Sequence, residues 1–405
     1  MSVVTCRTNC NYSFETNESD MTDYSWIEEE FGGYPVIYPI TIYHLYSVIL
    51  FGRICHIVWY VIGYIGNFIS LKIWTLARMK RLNSSALYLA GITICDIMYQ
   101  VLHAFFYLKY FWGYPSIGYT GLCQIWNVLN IIPQYASQLL VLGFTMERSI
   151  SIFKPFQGER FSKRQRAPKT IACIIVVVIL VALPQAYFWK VNESGFCEIG
   201  SGNELLEIYT IWSFVSESII FFLVPAVTLI LNIFVLRETY KVVSRHRRLN
   251  TDTNGPSRIH KSNTYRPATK TLLCISFFRI LTQLPVSVTY TIQNLDKFNF
   301  GQLMPLEEMR NDSQWRTFLS YWEGRIFIET IGASHHALSV FIFCASTKQF
   351  RNEISKLYSS LKCCVKRYSR RRQNGHERSG SLDLMYMSSY YKTTDMSFTN
   401  NSPEH

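Results

Sequence analysis

Seven stretches of this chain, at 48–76, 84–111, 119–153, 168–190, 207–240, 267–293 and 318–345, are predominantly apolar and long. A helix of about 20 apolar residues crosses the hydrocarbon of a bilayer. Within that hydrocarbon every backbone polar group must be satisfied inside the segment, which leaves helices as the spanning form for segments of this length. The chain is therefore read as an all-α membrane protein, a seven-transmembrane-helix bundle. Composition agrees, since 17% of the 405 residues are charged where a soluble chain carries about a quarter.

The charges that remain fall on alternate connections. The first connection holds Lys72, Arg78, Lys80 and Arg81. The third holds Lys154, Arg160, Lys163, Arg164, Arg166 and Lys169 against Glu159, and the fifth is basic from Arg237 to Lys270. The loops between them are neutral or acidic. Basic loops stay on the cytoplasmic side, so the N-terminus is expected outside and the C-terminus inside. Topology then explains the net charge of +12, and no nucleic-acid partner is expected.

Residues 1–45 read as an extracellular acidic tail, 46–346 as the bundle, 347–364 as a short amphipathic helix on the membrane surface, and 365–405 as a disordered cytoplasmic tail. The polar start carries no signal peptide, so the first span should act as the targeting signal. Outer Asn-X-Ser sequons at Asn11, Asn17, Asn192 and Asn311 are candidate glycosylation sites. The same motif at Asn83 falls on the cytoplasmic side and should stay unused. In the surface helix Phe350, Ile354, Leu357 and Leu361 share a face opposite Lys348, Arg351, Lys356 and Lys362. Cys363 and Cys364, followed by clustered basic residues, are candidates for palmitoylation and for contact with anionic membrane lipids. Two ordinary reduced cysteines are the alternative.

Several polar residues stand inside the spans, where they need partners or a task. Asp96 in the second span is the most informative. Ser137 and Gln138 in the third, Arg279 and Gln283 in the sixth, and His335 and His336 in the seventh lie at similar depth and form a polar seam. A neutral structural acid is the plain reading of Asp96, and satisfied core histidines that of the pair. Cys123 and Cys197 both face the oxidising side; a disulfide would pin the second outer loop across the bundle, with two free thiols as the alternative. Cys6 and Cys10 could pair too. No close-spaced Cys/His set suggests a metal, and no cofactor or catalytic group is read.

Taken together, these landmarks resemble the rhodopsin-like, class A family of G-protein-coupled receptors over roughly 45–362. Gly66-Asn67 resembles its signature in the first span, Leu89-Ala90 with Asp96 that of the second, and Cys123 and Arg148 its bridge cysteine and third-span arginine. Pro225 and Pro285 resemble its helix-kinking prolines, and Phe350-Arg351 its surface helix. The acidic tail and the Glu147-Arg148-Ser149 ending are similar to invertebrate FMRFamide-type neuropeptide receptors. Departures are clear as well. Thr282-Gln283-Leu284-Pro285 stands in place of Cys-Trp-X-Pro, Ser339-Val340-Phe341-Ile342-Phe343 in place of Asn-Pro-X-X-Tyr, Ile233 in place of a tyrosine, and Tyr265 where an acid can face the arginine.

The resemblance implies a plasma-membrane receptor, not an enzyme, that signals through a heterotrimeric G protein, with arrestin as a further partner. Glu147 and Arg148 would be its switch. The seventh span has no lysine for a retinal Schiff base and the third no aspartate for an amine, so an extracellular peptide is the expected ligand. Glu193, Glu198, Glu204 and Glu207 in the second outer loop would suit a basic peptide, with a solvated loop face as the plain reading of each. Asp96 is expected to pair with His335 or His336 when protonated, because Ser339 replaces the family's asparagine. A non-signalling clearing receptor and, more remotely, a transporter are the competing readings.

Overall fold

The structure, a computed structural model, describes residues 37–76, 84–113, 118–153, 166–191, 197–200, 202–249, 265–295 and 306–374. Asn11, Asn17, Asn192, Glu193, Cys6 and Cys10 lie outside the described residues, and of Tyr265 and Cys364 only the backbone is described. The chain divides into two compact units, 1–352 and 353–405.

The first unit holds seven spans long and apolar enough to cross a membrane. The first runs Ile37–Thr75, the second Ser85–Trp112, the third Leu122–Phe153 and the first helix of the fourth Arg166–Ala182. The fifth runs Asn203–Ser218, passes a π turn at Ile219–Leu223 and continues as Val224–Leu249. The sixth is Tyr265–Leu295, and the seventh is two helices, Ser313–Gly332 and Ser334–Ser346. Large apolar side chains such as Val176, Leu180, Ile230 and Leu281 are exposed on the flanks, as a bundle solvated by lipid requires.

The first span starts well before the expected residue 48. Its opening turns, with Ile40, Leu45, Val48 and Ile49, are buried against Trp315, Phe318, Trp322 and Ile326 of the seventh span and Phe111 of the second. Interleaved Tyr43, His44 and Tyr46 disguise this stretch as a polar flank, and Leu45 leaves helical geometry at φ −119° and ψ 27°. Hydrophobic burial against another span, not local propensity, makes the helix here.

The fourth span runs Arg166–Phe188, close to the expected bounds, and its first helix ends at Ala182. Pro184 caps a short helix, Gln185–Phe188, after which the chain becomes strand β1, Trp189–Val191. It pairs antiparallel with β2, Cys197–Ile199, Val191 facing Cys197. This short hairpin lies in the loop between the fourth and fifth spans and leaves the all-α bundle as expected. The disulfide between Cys123 and Cys197, Cα atoms 5.6 Å apart, fastens β2 to the start of the third span. Phe188, Trp189 and Tyr209 bury the bridge.

The fifth and seventh spans are also interrupted at identifiable residues, as the first is at Leu45. Pro225 has no N–H to offer the carbonyl four residues back, and the π turn immediately before it widens the helix around that gap. The seventh span breaks at Gly332–Ala333. A Cβ on Gly332 would stand 2.4 Å from Val286 Cγ2 of the sixth span, so only glycine permits this approach. Pro285, by contrast, sits inside a continuous helix.

A last helix runs Lys348–Asn374, further than the 364 expected. Phe350, in the first unit, is buried between Trp74 and Phe343, with ring centroids 5.1 and 5.4 Å away. In the second unit Glu353 and Lys356 pair at 2.7 Å and Cys363 is exposed.

Candidate functional site

Asp96 is fully buried, and the bundle closes around its carboxylate from several sides. Arg279 of the sixth span donates from Nη2 to both carboxylate oxygens, at 2.7 and 2.9 Å. Its Nη1 donates to Ser137 Oγ on the third span. From the seventh span His336 Nδ1 lies 2.7 Å from Asp96 Oδ1, and Ser339 Oγ donates to Oδ2 at 3.3 Å. Asn67 of the first span joins at one remove, donating from Nδ2 to the His336 carbonyl at 2.8 Å. An isolated buried carboxylate would be very costly; paired and hydrogen-bonded it is tolerated.

This geometry changes one sequence expectation. The cation against Asp96 is Arg279, whose side chain is as deeply buried as the acid. Of the two histidines only His336 reaches the carboxylate. His335 turns instead to the carbonyl of Gly332, at 2.7 Å, and to Thr282 Oγ1, at 3.2 Å. The break in the seventh span leaves that carbonyl accessible to a side chain, which is why consecutive histidines take different partners.

Above this cluster, toward the hairpin, lies a cavity of about 770 Å³, counting the open space at its mouth. His336, His335, Gln138 and Gln283 line it on the side of the cluster, so one residue, His336, touches both the cavity and Asp96. Tyr99 stacks on His336 with centroids 3.8 Å apart, and His103 stacks on Tyr99 at 5.1 Å. His56 continues the ladder at 5.2 Å from His103.

Two carboxylates line the cavity, Glu217 on the fifth span and Glu329 on the seventh. Glu329 accepts a hydrogen bond from Arg325 Nε at 2.6 Å. Of the loop glutamates, Glu198, Glu204 and Glu207 are exposed and do not line this cavity. The signal for Glu217 and Glu329 was present, because both interrupt apolar spans as Asp96 does.

At the other end of the third span Glu147 and Arg148 go to neighbouring serines at the head of the second. Ser84 donates to Glu147 Oε1, and Arg148 donates to Ser85. Arg148 is buried, with its guanidinium 5.5 Å from the Phe144 ring. Asn311, one of the sequon asparagines, is exposed in the turn before the seventh span, where Asp312 caps the helix by accepting from Trp315 N at 2.9 Å.

Comparison with known proteins gives a match to the 7 transmembrane receptor (rhodopsin family) over residues 66–323, more than half of the chain. Among the relatives, the pyrokinin-1 receptor of Drosophila melanogaster is 26% identical over 226 residues, 55% of this chain and 47% of that protein. Prokineticin receptor 1 of Bos taurus is 33% identical over 131 residues, 31% of each chain. The leukotriene B4 receptor 1 of Homo sapiens is 27% identical over 139 residues, 33% of this chain and 39% of that one. The matches thus span about half or less of these relatives' lengths.

Proposed function

The chain belongs to the rhodopsin family of seven-transmembrane receptors, and on that premise we propose that it is a plasma-membrane receptor for an extracellular peptide, signalling through a G protein. Relatives named for pyrokinin and prokineticin support the peptide. The basic charge of alternate loops supports an orientation with the hairpin end outward and the Arg148 end toward the cytoplasm. In this orientation the cavity opens outside the cell, and Glu147 and Arg148 stand where a G protein, and then arrestin, would bind. The surface helix with Cys363 and Cys364 would anchor in lipid.

The observation that carries the reading is the continuity from cavity to ion pair through His336. One guanidinium on the sixth span holds the second and third spans, while the seventh shares the same carboxylate. A ligand that displaces His336 alters the partners of Asp96. The sixth span can then move, and the cytoplasmic face opens by population shift. Reversing a resting population from 1:99 to 99:1 needs about 5.5 kcal/mol of differential binding. A micromolar peptide binds with about 8 kcal/mol, so the requirement is within reach.

The test is a neuropeptide library screened on cells that report several G proteins and arrestin. A peptide that drives nucleotide exchange supports the proposal. Uptake of peptide without exchange would instead describe a clearing receptor, and silence across all pools would remove the peptide.

A further inference from the structure

We propose that the cavity recognises a neutral primary carboxamide of the ligand, met by the amides of Gln138 and Gln283 and by Nε2 of His335 and His336. The inference rests on reading this cavity as the ligand site, and it names the chemistry the site takes.

The first observation is a buried amide with nothing to bond. Gln138 is 7% exposed and lines the cavity, yet its side chain makes no hydrogen bond among the described residues. The side chain of Gln283, on the sixth span, makes none either. Their polar atoms are not among those sealed from solvent, as Gln100 Oε1 is, so the cavity that they line reaches them. Gln134, one turn before Gln138, differs. It lines the cavity too, but its Nε2 donates to the Asn130 carbonyl at 2.9 Å. Buried polar groups in folded proteins are nearly all bonded, and an amide left open on a cavity wall is one that a ligand can satisfy.

The second observation is independent of the glutamines. His335 and His336 line the same cavity, and each commits Nδ1 elsewhere, to the Gly332 carbonyl and to Asp96 Oδ1, both at 2.7 Å. Those oxygens accept, so Nδ1 carries the proton and Nε2 of the neutral ring presents a lone pair. Neither Nε2 makes a hydrogen bond among the described residues, and neither is sealed as His44 Nε2 is. The glutamines and histidines converge on the ion pair. Gln138 follows Ser137, which accepts from Arg279, and Gln283 lies one turn beyond Arg279 on the same face. His336 holds Asp96, and Thr282, beside Gln283, is 3.2 Å from His335 Nδ1.

The balance of donors and acceptors selects the ligand group. These walls offer the glutamine carbonyls and imidazole lone pairs as acceptors, and the amide N–H groups as donors. Turning either glutamine over leaves one oxygen and one NH₂ in place, so the balance does not depend on their orientation. A primary carboxamide has two N–H donors and a carbonyl, and serves both kinds at once. An ammonium or guanidinium only donates and leaves the glutamine N–H groups open. A carboxylate only accepts and sets its charge against the imidazole lone pairs. Each hydrogen bond left unmade on a dry wall carries the full cost of desolvating that group. The Tyr99 and Phe221 rings in the same cavity suit an apolar stem behind the amide.

The experiment uses 3-phenylpropanamide, its N,N-dimethyl amide, 3-phenylpropanoate and 3-phenylpropylammonium on the purified full-length receptor, with the thermal midpoint as readout. The primary amide should raise the midpoint by about 2 °C at saturating millimolar concentration, and the other compounds should bind at least about tenfold more weakly. Gln138→Met, similar in size but without the amide, should weaken the primary-amide response about tenfold. An equal or greater response to any of the other compounds, no response to any compound, or an undiminished response in Gln138→Met would each overturn the proposal. The comparison on the unmodified receptor stands even where the variant does not fold. A library peptide that activates without a primary carboxamide would leave the peptide receptor intact and remove only the carboxamide.

Discussion

At the scale of single residues the chain is governed by the Asp96–Arg279 pair. Removing one member leaves the other charged and buried, which costs about 3–5 kcal/mol. Arg279→Leu should therefore lower the thermal midpoint of the purified receptor sharply, and Asp96→Asn combined with Arg279→Leu should recover much of the loss. A double variant as unstable as the sum of the two singles would show that the pair is not coupled. The need for partners at Asp96 was legible from one buried carboxylate in an apolar run. His336 was legible as one partner; Arg279 was not, because it lies 183 positions away and only the packing of four spans brings it there. His335 and His336 are equivalent in sequence; the break at Gly332 separates them. Glu217 and Glu329 were overlooked beside the more numerous loop glutamates.

At the scale of elements the spans were legible because hydropathy is a strong signal over twenty residues. Their ends were less so. The first span begins in a stretch with polar interruptions that only the Trp315 cluster explains, and the two three-residue strands are too short to carry a pattern of their own. Two glycines in the seventh span give a matched prediction. Gly332→Ala places a Cβ against Val286 at 2.4 Å and should destabilise by about 1–3 kcal/mol, the usual cost of overpacking. Gly324 has nothing within 4 Å of its would-be Cβ, and Gly324→Ala should stabilise by about 0.5–1 kcal/mol through helix propensity. Thermal midpoints of the two variants check both signs.

At the scale of the whole molecule the proposed orientation makes a prediction about modification. Asparagines at 11, 17, 192 and 311 should carry N-glycans on the cell-surface protein, and Asn83 should not. Glycosidase treatment should increase gel mobility in the unmodified chain and in Asn83→Gln, and do nothing when the other four are replaced together. A shift that depends on Asn83 would reverse the topology.

The guanidinium at the centre of the bundle has one further consequence. A counterion recruited from the bath is present in proportion to its concentration and competes with every other ion there. Arg279 is supplied by the backbone, so its local concentration is fixed by covalent structure and cannot be diluted away. Replacing sodium with a bulky organic cation should leave the thermal midpoint of the unmodified receptor within about 1 °C, since Arg279 already supplies the cation to Asp96. The same replacement in Arg279→Leu should lower the midpoint further, because there Asp96 must borrow its cation from solution. The receptor thus holds a salt whose cation never dissolves.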